Sequence, residues 1–403
     1  MKNYFENLQI RVDRYKNKYA FRPRRAALSL AFWNFKCVFT CKYLCKIFKK
    51  VKQSVQIIDG ENKRIALLLN GGLGDYLTAV NYALYLYQYL EKSAKIDLFV
   101  TGSKNIKMLF GTSVDFDFYD RELFSEAENY LVKIKLNRFP QVIAYDEQNI
   151  DMRIPKFRTL LNIYLELENN CKMYFDLDPR ADYLAVQYAR INGTKKRIQQ
   201  PDIRGILGIG ENHSYILETE DFGNICQKFQ LTKKYITLNR GTDTGNSFSE
   251  VTRMWSLENY NELTRLLKQH YPDYQIVQLG YSKEWCKKID HCDLDLRGET
   301  NLSELKTILK YATLHVDYEG GMVHLRKCLR GGPSVVLFGP TDPSWIGYDN
   351  NINIYTCRCQ GCENLNANWQ KKCSNLLNPH ICMKSITPEM VMNKITEFFN
   401  KGH

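Results

Sequence analysis

The chain has 403 residues, 44% hydrophobic and 25% charged, a balance that suits two soluble globular domains and excludes a disordered chain. No run of about 20 apolar residues occurs, so no spanning helix is read. The net charge of +12 suggests a nucleic-acid partner only until it is located: residues 1–55 hold fourteen Lys and Arg against Glu6 and Asp13, so the remaining chain is neutral and calls for no nucleic acid.

The first 25 residues are charged and aromatic, and the apolar run from Ala26 is cut at Lys36, with no small-residue cleavage site beyond it. This is not the pattern of a signal peptide, and thirteen cysteines then point to reduced thiols or metal ligands on the cytoplasmic side. Ala26–Val55 predicts a basic amphipathic helix, in which Leu30, Trp33, Phe35 and Phe39 supply apolar surface and Lys36, Lys42, Lys46 and Lys49 the charge. Such an arm suits either an anionic membrane at the inner face or a packing surface on the first domain or a second subunit. Cys37, Cys41 and Cys45 share one face of it, which reads as packing rather than metal binding.

Next come a short apolar strand at Ile65–Leu69, the loop Asn70-Gly71-Gly72-Leu73-Gly74-Asp75, and a helical pattern from Tyr76 to Leu90. Lys95–Val100 and Gln141–Tyr145 read as further strands, and Thr159–Glu168 and Ala181–Ile191 as helices. A second series begins at Tyr235–Leu238. It continues through helix Leu257–His270, strand Tyr274–Leu279, helix Asn301–Tyr311, strand Leu314–Asp317, a helix from Met322 to Leu329 and strand Ser334–Phe338. Strand–helix alternation implies parallel sheets with covering helices. The division expected is an arm over 1–55, a first α/β domain over 56–232 and a second over 233–403.

A glycine turn between strand and helix exposes backbone N–H groups to an anion or substrate. Gly71, Gly72 and Gly74 provide such a turn, with Asp75 at the helix start, although a capping carboxylate has the same appearance. Neither a Walker loop nor a G-x-G-x-x-G spacing is present. The second half repeats the arrangement at Asp317-Tyr318-Glu319-Gly320-Gly321-Met322-Val323-His324, and Phe338-Gly339-Pro340-Thr341-Asp342-Pro343 forms another strand-to-loop junction. With Gly-Leu-Gly-Asp at 72–75 and Thr252-Arg253-Met254-Trp255 between them, these four motifs, in this order, resemble glycosyltransferase family 9, the bacterial heptosyltransferases.

The resemblance implies a GT-B fold of the α/β class: two Rossmann-like domains facing a cleft, the first for acceptor and the second for nucleotide sugar. It implies inverting transfer without a catalytic metal, so the pairs Asp115/Asp117, Asp176/Asp178 and Asp293/Asp295 are expected at the surface or at strand ends. Asp75 matches the family's catalytic carboxylate. Arg253 matches the cation on the donor phosphates, where Lys is usual, and Glu319 and His324 match the donor turn with Gly320 and Gly321. Thr242 and Thr244 are further expected phosphate contacts. A general base needs a carboxylate beside the acceptor hydroxyl, and burial in the cleft is expected to raise the Asp75 pKa.

Cys359, Cys362, Cys373 and Cys382 have the spacing of a four-thiolate site for structural zinc or iron, with Cys357 spare. This cluster resembles the cysteine finger of autotransporter heptosyltransferases. The expected activity is sugar transfer, heptose from ADP-heptose by resemblance, in lipopolysaccharide or capsule assembly by a cytoplasmic, peripheral enzyme, as a monomer or an oligomer. The rivals are a protein-modifying heptosyltransferase and a catalytically silent nucleotide-binding scaffold.

Overall fold

The computed structural model describes residues 63–172, 179–242, 251–356, 359–366 and 368–401. The basic arm, Thr244 and the Asp176/Asp178 pair therefore lie outside the described residues. Among these residues no helix is long and apolar enough to cross a membrane.

The first sheet contains β1 (Arg64–Leu69), β2 (Lys95–Val100), β3 (Asp117–Asp120), β4 (Val132–Leu136) and β5 (Pro140–Tyr145) in the order β3-β2-β1-β4-β5. Helix α1 (Leu73–Tyr89) covers it and buries Leu77, Val80, Tyr82, Ala83 and Leu86. Those positions recur at helical spacing, and burial of a single such side chain contributes about 1.5–3 kcal/mol. The sheet departs from the parallel expectation at one edge, where β5 runs antiparallel to β4. The two strands are joined by the short turn Asn137–Phe139, which a hairpin allows and a parallel crossover does not. Helices α2 (Ser103–Phe110), α3 (Phe157–Asn170) and α4 (Pro179–Ile191) complete this half.

The second sheet is parallel throughout. Strands β6 (Tyr235–Asn239), β7 (Gln275–Leu279), β8 (Leu294–Asp295), β9 (Leu314–Tyr318), β10 (Ser334–Leu337) and β11 (Ile352–Ile354) take the order β11-β10-β9-β6-β7-β8. Both sheets thus follow the doubly wound Rossmann order, in which the chain reverses direction beside the first strand. Ser256 caps α6 (Leu257–His270) by accepting from the Asn259 N–H, following α5 (Phe222–Phe229). Helices α7 (Leu302–Tyr311), α8 (Gly321–Cys328) and α9 (Pro388–Asn400) follow, and α9 packs on α6.

The described Asp-x-Asp pairs, Asp115/Asp117 and Asp293/Asp295, sit at strand ends. Asp117 pairs with Lys95 at 2.5 Å, Asp293 with Lys268 at 2.6 Å and Asp295 with Arg297 at 2.7 Å.

Candidate functional site

In a doubly wound sheet, ligands bind beyond the carboxyl ends of the strands where the winding reverses. In the first sheet that point lies between β1 and β4. The loops leaving these strands meet there, Asn70 donating to Asn137 Oδ1 at 3.1 Å. Asp75 occupies the first turn of α1 and accepts from the Gly72 N–H at 2.9 Å, a position where the helix dipole favours negative charge. Gly71 lies at φ +115°, and a Cβ there would run into the Asp75 carboxylate. A Cβ at Gly74 would stand 2.7 Å from His324 Cδ2. Any side chain at Gly74 would therefore wedge this loop away from the turn that carries His324.

A cavity of about 240 Å³ opens on this loop, its wall including Asn70, Asp75, Asn137, Arg138, Arg197 and Gln200. Arg197 forms an ion pair with Asp75, and Arg138 pairs with Asp182 at 3.2 Å. The expected rise in the Asp75 pKa does not occur. Burial does push the carboxyl up, but Arg197, then Arg138 and the Gly72 N–H, outweigh it and hold the pKa below the ordinary value. Asp75 is therefore ionised across the neutral range and able to receive a proton. Its side chain remains 36% exposed.

In the second sheet the winding reverses between β6 and β9. Glu319 follows β9 and is almost wholly buried. Its Oε2 accepts from Arg253 Nη1 at 2.9 Å, its Oε1 lies 3.2 Å from His324 Nε2, and His324 Nδ1 lies 2.8 Å from the Tyr348 hydroxyl. Burial opposes the Glu319 charge, but Arg253 foremost, with His324 and Arg197, holds its pKa at about 2. The Arg253 guanidinium also lies 5.2 Å from the Tyr318 ring centroid and 5.7 Å from that of Trp369, contacts that favour a cation. Gly320 is the N-cap of α8 and Gly321 its first residue, so the turn presents N–H groups beside Arg253. Thr242 follows β6 at the same crevice. Trp255, two residues beyond Arg253, is a core residue whose indole donates to the Ile386 carbonyl at 2.8 Å.

Cys359, Cys362, Cys373 and Cys382 border one hollow of about 10 Å³ together with His380. Burial, then the neighbouring Cys359, Cys382 and Cys373, pushes the Cys362 thiol up to about 12. The His380 N–H donates to Cys373 Sγ at 3.3 Å. Four converging sulfurs are the donor set of a soft cation. Yet among the described residues no three His, Cys, Asp or Glu side chains stand in the arrangement of a formed metal site. The segment also reaches the cleft: Glu363 follows Cys362 and faces Arg138, Arg197 and Arg253, while the Gln370 carbonyl accepts from the Thr252 N–H at 3.1 Å.

Residues 210–375 match the model of glycosyltransferase family 9 (heptosyltransferase). Over that span the chain is similar to the family 9 glycosyltransferases. No curated protein matches it. Known structures of the same fold include a family 9 glycosyl transferase from Veillonella parvula, 13% identical, with TM-score 0.51 over 86% of this chain and 99% of that one. The ADP-heptose LPS heptosyltransferase II of E. coli is 15% identical, with TM-score 0.50 over 84% and 99%. TibC, an iron-containing dodecameric glycosyltransferase of enterotoxigenic E. coli, is 12% identical, with TM-score 0.53 over 85% and 77%. TibC is also known in complex with ADP-D-β-D-heptose. The architecture is GT-B, two Rossmann-like halves facing a cleft.

Asp75 from the first half and Arg253, Glu319 and His324 from the second converge on this cleft. Arg138, Arg197, Tyr348, Glu363 and Trp369 join them without belonging to any motif. The run Lys195-Lys196-Arg197 is the only hint in the sequence of a cationic segment here, and Trp369 and Glu363 are flagged only by the cysteines around them.

Proposed function

We propose that this chain is a family 9 glycosyltransferase that moves a sugar, heptose from ADP-heptose, onto an acceptor hydroxyl with inversion and without a catalytic metal. The reading rests chiefly on one observation: an ionised Asp75 borders a polar cavity while its loop touches the donor turn at His324. The acceptor hydroxyl loses its proton to Asp75 as its oxygen attacks the anomeric carbon from the face opposite the leaving group. The bond from that carbon to the phosphate oxygen breaks, and the nucleoside diphosphate leaves with the electron pair. Arg253 and the N–H groups at the start of α8 offset the charge that develops on the diphosphate.

The acceptor proposed is a glycan of the cell surface, such as lipopolysaccharide or capsule. The four-thiol cluster, which walls the Arg253 side of the cleft, favours a second reading with a polypeptide acceptor. Labelled ADP-heptose offered with lipid-linked glycan or with polypeptide decides between them. Label in neither, under conditions where donor binds, would overturn the transfer reading.

We also propose that Cys359, Cys362, Cys373 and Cys382 hold one structural zinc or iron ion. When bound, the ion supplies cross-linking and no open coordination position, steadying the segment that carries Glu363 and Trp369. Elemental analysis of reduced protein should find about one equivalent, and Cys362→Ser should release it. Metal-free protein of full stability would sink this assignment.

A further inference from the structure

Arg197 stands at the junction of the two halves, on a segment fastened to the donor half. Immediately before it, Lys196 Nζ donates to the Gly347 carbonyl at 2.9 Å and to Asp349 at 3.0 Å. At the end of α4, Arg190 pairs with Asp342 at 2.7 Å and lies 5.0 Å from the Trp345 ring centroid. The loop 342–349 of the donor half therefore holds the backbone that carries Arg197, while the guanidinium pairs with Asp75 of the first half. Its charge also registers on Glu319, and Glu363 is a further carboxylate beside it. Arg253 is already held by the buried Glu319, so Arg197, bound to the more exposed Asp75, is the cation better able to change partner.

We propose that Arg197 is a positioning residue coupling the two substrates: it pairs with Asp75 until the donor diphosphate competes for it, and its transfer to the phosphates leaves Asp75 to the acceptor hydroxyl. A guanidinium binds carboxylate and phosphate with the same planar fork, so the exchange keeps its hydrogen bonds and only changes their acceptor. The inference rests on Asp75 being the general base. The groups that face Asp75 are Arg197 and Arg138 across the cavity, His324 from α8 and the Gly72 N–H of its own turn, with Asp182 paired to Arg138. Removing Arg197 takes away the cation with the largest effect on the Asp75 charge and leaves the others in place. By reciprocity, a donor that removes Arg197 from Asp75 must bind more weakly the more firmly that pair holds.

Two variants of the full chain test this. Arg197→Gln should weaken ADP binding by about tenfold or more while adenosine binds as before. It should also move the acid limb of the kcat/KM profile to higher pH, and Arg197→Lys should partly restore both. Asp75→Asn loosens the hold on Arg197 and should tighten ADP several-fold, a binding readout independent of turnover and still available if Arg197→Gln does not fold. Unchanged ADP affinity in the variants, or an unmoved acid limb in Arg197→Gln, overturns the coupling. Loss of the base assignment would show separately, as near-normal turnover in Asp75→Asn.

Discussion

The two glycine turns share a local design and treat their carboxylates in opposite ways. Each follows the strand where its sheet reverses, and each leads into a helix that opens on glycine. Asp75 stays 36% exposed, faces a cavity and pairs with Arg197, whose segment is fastened to the other half. Glu319 is 4% exposed in its side chain and engaged at both oxygens, by Arg253 and by His324. The first arrangement leaves a carboxylate available to a substrate. The second consumes its carboxylate in holding Arg253 and His324 in place. Motif identity alone does not separate these roles; the surroundings of each group do.

The comparison breaks most decisively at Asp75. Asp75→Asn should lower turnover by about 10²–10⁴ while unfolding free energy changes little, because a half-exposed carboxylate carries little of the stability. Steady-state rates with matched denaturant curves measure both quantities, and near-normal turnover would remove Asp75 from the chemistry.

Glu319→Ala should show the reverse emphasis. Losing one partner of a buried pair strands Arg253, and the cost should be roughly 3 kcal/mol of unfolding free energy. A stability change below about 0.5 kcal/mol would mean that Glu319 is no more structural than Asp75.

A smaller effect sharpens the buried side of the contrast. His213 lies between Tyr215 and Tyr348, and burial, then the charges of His324, Lys327 and Arg330, lowers its pKa to about 3. It is neutral when folded, whereas the unfolded chain takes up a proton below about pH 6.5. Its contribution is therefore fully present above that pH and declines as pH falls toward the folded value. About 2 kcal/mol should be lost between pH 7 and pH 5 through this group. His213→Phe should show a correspondingly shallower slope in urea titrations, and an identical slope would remove His213 from the acid response.

Much of the fold was legible where local signals agreed. Helix Leu257–His270 is legible in the sequence because the breaker Tyr271-Pro272 closes its apolar pattern, and the fold adds the Ser256 cap. Strand Lys95–Val100 was equally plain, as an apolar run after a polar turn. Strand β4 escaped because Lys133 and Lys135 interrupt its apolar residues, and with it escaped the hairpin that turns β5 antiparallel. Arg138 sits in that hairpin turn, so missing the strand hid one cation near Asp75.

By itself the sequence determined the two α/β series, the two glycine turns and the gathering of four cysteines late in the chain, because each depends on residues close in sequence. Only the tertiary structure decided the ionisation of Asp75. Its controlling partner, Arg197, lies 122 positions away on a segment whose path is set by contacts with residues 342–349. Burial alone predicts a raised pKa. A cation brought to the same carboxylate by the fold reverses the sign, since the interaction between opposite charges in a confined cleft exceeds the desolvation that the cleft imposes.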